Sequence, residues 1–155
     1  MHNFYKIFLA VFLLPLFSFA QSNYKPGYVV NLKGDTLRGF IDYREWGTSP
    51  RTINFKTDMS DNKAQKLGPD DIGYFNVSGL EAYQKYSGPI SMNLIDYDHM
   101  TSGKDTTFKT ESVFFKILQK GKYLGLFSYT DDIKTRLFIA EAPDYSPKEL
   151  EYYIY

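Results

Sequence analysis

Cysteine is absent from the 155 residues. That removes disulfides, thiolate nucleophiles and thiolate metal sites together. Histidine is almost as scarce, with His2 and His99 the only two. His2 lies in an N-terminal segment with the marks of a leader, so any Ser-His-Asp relay would have to run through His99 alone. His99 stands in the polar stretch 98–105, where a solvated loop histidine is the expectation. Zinc, which takes several His, Cys or carboxylate ligands, is not expected. Asp96, Asp98 and Asp105 invite a calcium reading, but the EF-hand pattern fails. Met100 takes a ligand position, Thr101 replaces the required Gly, and no Glu closes the loop. An irregular calcium site is the alternative to a solvated loop there, and Asp58, Asp61 and Asn62 make a weaker version of the same pattern. Phosphate-cradling glycine loops are missing too, since Gly34, Gly39, Gly121 and Gly125 fall in strands or turns. No single charge dominates, with 18 basic against 18 acidic residues, so there is no long-range pull on nucleic acid or anionic lipid. The sequence therefore points to no catalytic residue, no cofactor-binding residue and no metal ligand. An enzyme is less expected than a non-enzyme.

Long apolar runs are lacking except at the start. Residues 7–19 are apolar apart from Pro15 and Ser18, Lys6 precedes them, and Ser18-Phe19-Ala20 puts small residues at −3 and −1 before Gln21. This reads as a secretory signal peptide over residues 1–20. The run is short of the ~20 residues that span a membrane. No Cys stands after the cleavage point, which excludes a lipid anchor on an N-terminal cysteine. The remainder, residues 21–155, is 155 less 20, or 135 residues, the size of one domain with its own core. A cysteine-free exported domain is held by burial alone. That suits a bacterial periplasm, outer membrane or cell surface better than a disulfide-stapled secreted module.

Aromatic residues are plentiful, at 18 % of the chain, with 14 Tyr, 13 Phe and a single Trp. Tyrosine can line a half-wet sheet face, ring packed and hydroxyl in water. Such a face reads either as a glycan or peptide surface or as ordinary sheet covering.

The patterning is β throughout. Residues 28–32 and 37–43 flank Lys33-Gly34, and residues 112–119 and 122–130 flank Lys120-Gly121. A two-residue turn on each Lys-Gly pair predicts two hairpins. In the first, Val30 would face Leu37 and Tyr28 would cover Gly39. Tyr28, Val30, Leu32, Leu37, Ile41 and Tyr43 would share one face, and Asn31, Lys33, Arg38 and Asp42 the other. In the second, Ile117 would face Leu124 and Phe115 would face Leu126. Between and beyond the hairpins, alternation predicts strands over 51–56, 74–77, 80–86, 90–97 and 134–140. Trp46 to Pro50 and residues 57–66 read as loops, 68–72 as one helical turn, and 78–79 and 131–132 as turns. The close, 149–155, reads as a strand, although Ser146-Pro147-Lys148-Glu149 also fits a helix start. The expected fold is all-β, a mostly antiparallel sandwich or open barrel of about eight to ten short strands.

The motifs G-D-T-L-x-G-x-I-D-Y-R (34–44), W-G-x-x-P (46–50), I-x-F (53–55), P-D-D-I-x-x-F (69–75), V-F-F-K-I-L-Q-K-G-K (113–122), R-L-F-I (136–139) and E-L-E-Y (149–152) span most of the chain past the leader. Together they resemble a group of uncharacterised exported proteins of the Bacteroidota. The matching residues are turn and core residues, so the resemblance implies a fold and an envelope context, with no activity attached. Longer members carry further sequence after this region, sometimes an outer-membrane β-barrel. The functional expectation is an exported, non-enzymatic binding or structural module of the envelope. Its partner would be an envelope protein or glycan, with no nucleic acid, and membrane association is open. The alternatives are a carboxylate-based glycan hydrolase drawing on Asp42, Asp70, Asp96 and Asp98, and a small outer-membrane barrel. Asp35 with Asp42, and Asp131 with Asp132, are further carboxylate pairs on paper, but adjacent turn aspartates do not imply a cleft.

Overall fold

The computed structural model describes residues 23–94 and 107–150. The leader, residues 95–106 with His99 and the calcium candidates Asp96, Asp98 and Asp105, and the end of the last expected strand lie outside the described residues. Those described form ten strands: β1 (Tyr24–Asn31), β2 (Thr36–Asp42), β3 (Ile53–Lys56), β4 (Gln65–Leu67), β5 (Ile72–Val77), β6 (Ala82–Ser91), β7 (Phe108–Lys120), β8 (Leu124–Thr130), β9 (Thr135–Glu141) and β10 (Lys148–Glu149). All neighbours are antiparallel, in one open sheet of order β10-β9-β8-β7-β6-β5-β1-β2-β3-β4. The protein is all-β, as the alternation predicts.

The sheet has two cores, and they lie on opposite faces. Val29, Ile41, Ile53, Phe55, Ile72, Phe75, Val77, Tyr83 and Phe114 form the first. Ile90, Val113, Phe115, Phe127, Tyr129, Phe138 and Ala140 form the second. Successive residues of a strand point to opposite faces, so adjacent Phe114 and Phe115, both fully buried, feed different cores.

The first half must roll. In a flat sheet β4 and β5 would be four strand spacings apart, about 19 Å. Yet residues 68–71 join them through a tight turn closed by Ile72 N–H to the Gly68 carbonyl at 3.1 Å. The β1–β5 half therefore curls around the first core, and Leu67 packs on it from the edge. The second half curls toward the other face. Ser91, at the end of β6, meets both β9 and β10: its carbonyl accepts from Arg136 Nε at 2.7 Å, and its N–H donates to Glu149 Oε2 at 3.1 Å. Where β7 and β8 part, the β2–β3 loop is wedged in, with Ser49 N–H on the Thr130 carbonyl at 2.8 Å and Thr130 N–H on Ser49 Oγ at 3.1 Å.

Both hairpin registers differ from the expectation. In the first, Val30 faces Thr36, Val29 faces Leu37 and Tyr28 faces Arg38. The loop is three residues long, not two. Asn31 causes the shift: its Oδ1 accepts from Lys33 N and Asp35 N, both at 2.9 Å, and its Nδ2 reaches Asp35 Oδ2 at 2.9 Å. Gly34, at φ 94°, takes the left-handed position that ends such a loop. Val29 and Ile41 consequently point inward, while Tyr28 and Val30 lie on the outer face. In the second hairpin the turn is Lys122-Tyr123, with Gly121 N–H on the Leu124 carbonyl at 2.8 Å. Ile117 faces Phe127 across a register shift at Leu118, so neither Leu124 nor Leu126 takes its expected partner.

Tyr28 does not cover Gly39. Phe55 does, because a Cβ there would lie 2.7 Å from its ring and 2.2 Å from the Lys56 carbonyl oxygen. Gly39→Ala should therefore cost about 1–3 kcal/mol through overpacking, read as a lowered denaturant midpoint with an unchanged slope. A midpoint equal to wild type would show that β2 and β3 sit farther apart than described.

Other expectations hold or shift slightly. Ile53 and Phe55 share the buried face of β3, residues 68–72 form one turn, and the strand near 134–140 is β9. The stretch 57–66, expected as loop, contributes Gln65 and Lys66 to the short edge strand β4. The separate strands expected at 80–86 and 90–97 are joined, since β6 runs through Gly88-Pro89. Proline is tolerated there because β6 pairs only with β7 at that point, its pairing with β5 being confined to Ala82–Gln84. At the close, Lys148 and Glu149 are strand, not the alternative helix start.

Candidate binding surface

Among the described residues, the expected acids do not converge. Asp35 precedes β2 and Asp42 ends it, about 23 Å apart along the strand. Asp35 is engaged in the hairpin loop, and Asp42 is held by Arg44 at 3.2 Å and Asn54 at 3.4 Å. Asp70 is an exposed residue of the β4–β5 turn. Asp131 is spoken for: its Oδ1 accepts from Ile133 N at 2.9 Å and Lys134 N at 3.0 Å, and pairs with Arg136 at 2.9 Å. Burial raises its pKa, but these donors outweigh burial and hold it below the usual aspartate value. Asp58 caps its own turn, accepting from Ser60 N at 2.8 Å and Oγ at 2.7 Å, and those bonds lower its pKa. Among the described residues, no three His, Cys, Asp or Glu cluster as a metal site.

A different surface does assemble. On the outer face of the first roll, β3, β2, β1 and β5 present Lys56, Arg38 and Phe40, then Tyr24 and Tyr28, then Tyr74 and Asn76. Cross-strand register sets this row, and the three-residue hairpin loop sets the register. The Tyr28 and Tyr74 rings stack at 5.7 Å and 29°, hydroxyls 3.5 Å apart. Arg38 lies 5.9 Å from the centre of the Tyr28 ring and Lys56 5.0 Å from that of Tyr24. All three tyrosines are half-buried. Burial, then the Tyr28 hydroxyl, pushes the Tyr74 pKa up to about 12, so it stays a neutral donor and acceptor at physiological pH.

Sequence parity places Tyr28 with Ile41 on the inner face, so this surface is not readable from the pattern. The abundance of tyrosine is the signal that points to a half-wet face. Trp46 reads as a loop residue in the sequence, yet it caps the first core edge-on, against Tyr43 at 5.0 Å, Tyr83 at 5.7 Å and Phe75 at 5.9 Å. The chain matches no protein-family model, no curated protein and no solved structure.

Proposed function

We propose that the chain is an exported, non-enzymatic binding module of the bacterial envelope, and that its tyrosine face takes an envelope glycan. The single observation behind this is the stacked pair Tyr28–Tyr74, flanked by Arg38 and Lys56 on the face the first core does not use. Flat, half-buried rings with paired hydroxyls suit sugar rings, which offer C–H faces for stacking and hydroxyls for hydrogen bonding. The leader read over residues 1–20 supplies the export, and the resemblance to exported Bacteroidota proteins supplies the envelope context. Among the described residues, Asp42 is held by Arg44 and Asn54 and Asp70 is an exposed turn residue, which weighs against the carboxylate hydrolase. Among the described residues the sheet is open, which weighs against the small outer-membrane barrel, because a lipid-embedded sheet must close on itself.

Expressed with its leader in a Gram-negative host, the chain should be recovered from the envelope with Gln21 at its N-terminus. The processed protein should sediment with isolated envelope glycan. Each stacked ring contributes about 1 kcal/mol. The Tyr28→Ala/Tyr74→Ala double variant should thus bind about 30-fold more weakly. Wild-type protein that stays in the supernatant, or a double variant that binds as well as wild type, ends this reading.

A further inference from the structure

A cleft of about 220 Å³ opens where the β2–β3 loop meets the β8–β9 turn. Its walls include Trp46 and Arg51 on one side and Tyr129, Thr130, Asp131 and Asp132 on the other. None of these residues belongs to the tyrosine face. The two sides come from segments about 80 positions apart in the chain, and the paired Ser49–Thr130 hydrogen bonds pin them together. Asp131 is fixed as a carboxylate by two backbone N–H groups and Arg136, all on Oδ1, which leaves Oδ2 as the oxygen a ligand would meet. A smaller hollow of about 120 Å³ adjoins the cleft across Pro50 and Arg51, and Glu111 lines it.

The charges set the ligand class. An anion would meet Asp131 and Asp132, and a cation would meet Arg51. A neutral polyhydroxyl ligand escapes both conflicts, because each hydroxyl can donate to a carboxylate and accept from a guanidinium. The half-buried Trp46 ring adds apolar surface for the C–H face of a pyranose. An aromatic ring beside a few convergent polar groups fits the make-up of a small-molecule site. We propose that this cleft holds one neutral sugar residue. It is a second site, independent of the tyrosine face.

Trp46 is the only tryptophan in the chain, so its fluorescence reports on the cleft and on the first-core rings it packs against, and not on the tyrosine face. The test titrates the processed protein with the methyl glycosides of glucose, galactose, mannose, xylose and N-acetylglucosamine. At least one should shift Trp46 emission saturably, with Kd on the order of 1 mM. Arg51→Ala and Asp132→Asn, both at exposed positions, should each weaken that response about tenfold while leaving the melting temperature unchanged. The Tyr28→Ala/Tyr74→Ala variant should respond as wild type does. No response to any of the five glycosides overturns the proposal. So does a response that survives Arg51→Ala and Asp132→Asn, or one given only by a charged probe such as lysine or acetate. Retention on envelope glycan with a silent Trp46 removes the cleft and leaves the tyrosine face standing, and the reverse outcome does the opposite.

Discussion

Phe75→Ala should lower the unfolding free energy by about 3–5 kcal/mol, the usual cost of emptying a fully buried phenylalanine site. Phe75 has no exposed surface. It stacks on Tyr83 at 4.8 Å and meets Phe114 and Trp46 edge-on at 5.0 and 5.9 Å. Those neighbours are themselves large rings on separate segments, so the site cannot collapse cheaply. Phe115→Ala, in the second core, should cost a similar amount, because Phe115 is equally buried and packs on Tyr86 and Phe138, both at 4.2 Å. The informative result is the number of transitions. Phe114 and Phe115 are consecutive on β7, so neither core can come apart without moving the strand that serves the other. Both variants should shift one cooperative melt, by roughly 10–20 °C for a domain of this size. Two separable transitions, with Phe115→Ala moving only one, would mean that the two rolls fold as independent units.

That shared strand is also where the sequence is most legible. Val113-Phe114-Phe115 breaks the apolar–polar alternation, which is the mark of a strand buried on both sides. Ile53 with Phe55, and Phe127 with Tyr129, keep clean alternation and lie on the buried face of β3 and β8. Register is not legible, because the deciding contacts are side-chain bonds that periodicity does not see. Asn31 lengthens the first loop by one residue and so exchanges the faces of Tyr28 and Val29. An even-length loop would need Tyr28 and Val30 inside with Ile41. Gly27 and Gly39 fill that inner row instead, where Asn76 O and the Phe55 ring approach too closely for any Cβ. The tyrosine face inherits this: its residues are visible in the composition, and their common side is not. The cleft is less legible still, since Trp46 and Asp131 meet only because two distant loops are bonded together.

The other large effect is expected at Asp131. Arg136 reads from the sequence as an ordinary strand residue, yet its side chain is 1 % exposed and its guanidinium lies against the second core, 5.7 Å from the Tyr129 ring centre. Nε donates to the Ser91 carbonyl, Nη1 donates to the Lys134 carbonyl at 3.2 Å and pairs with Asp131, and Nη2 has no hydrogen-bond partner among the described residues. The two ends of this pair are not equivalent. Asp131 keeps 18 % of its side chain in water and can take up a proton, whereas a guanidinium cannot lose its charge. Asp131→Asn keeps an oxygen for the Ile133 and Lys134 N–H groups and removes only the charge, stranding a buried cation. It should cost about 3–5 kcal/mol. Arg136→Met leaves the half-wet carboxylate and should cost less. The double variant Asp131→Asn/Arg136→Met should recover most of the loss, since an apolar side chain of similar length replaces the buried ion. The pH dependence carries the sign of the same pair. The folded pKa of Asp131 lies below its unfolded value, so its contribution is complete above about pH 4 and fades as the pH falls through the folded pKa. Chemical denaturation between pH 2 and 7 should therefore show a smaller acid loss in Asp131→Asn than in wild type. If Arg136→Met proved more damaging than Asp131→Asn, the guanidinium would be acting as a packing element and not as a stranded charge.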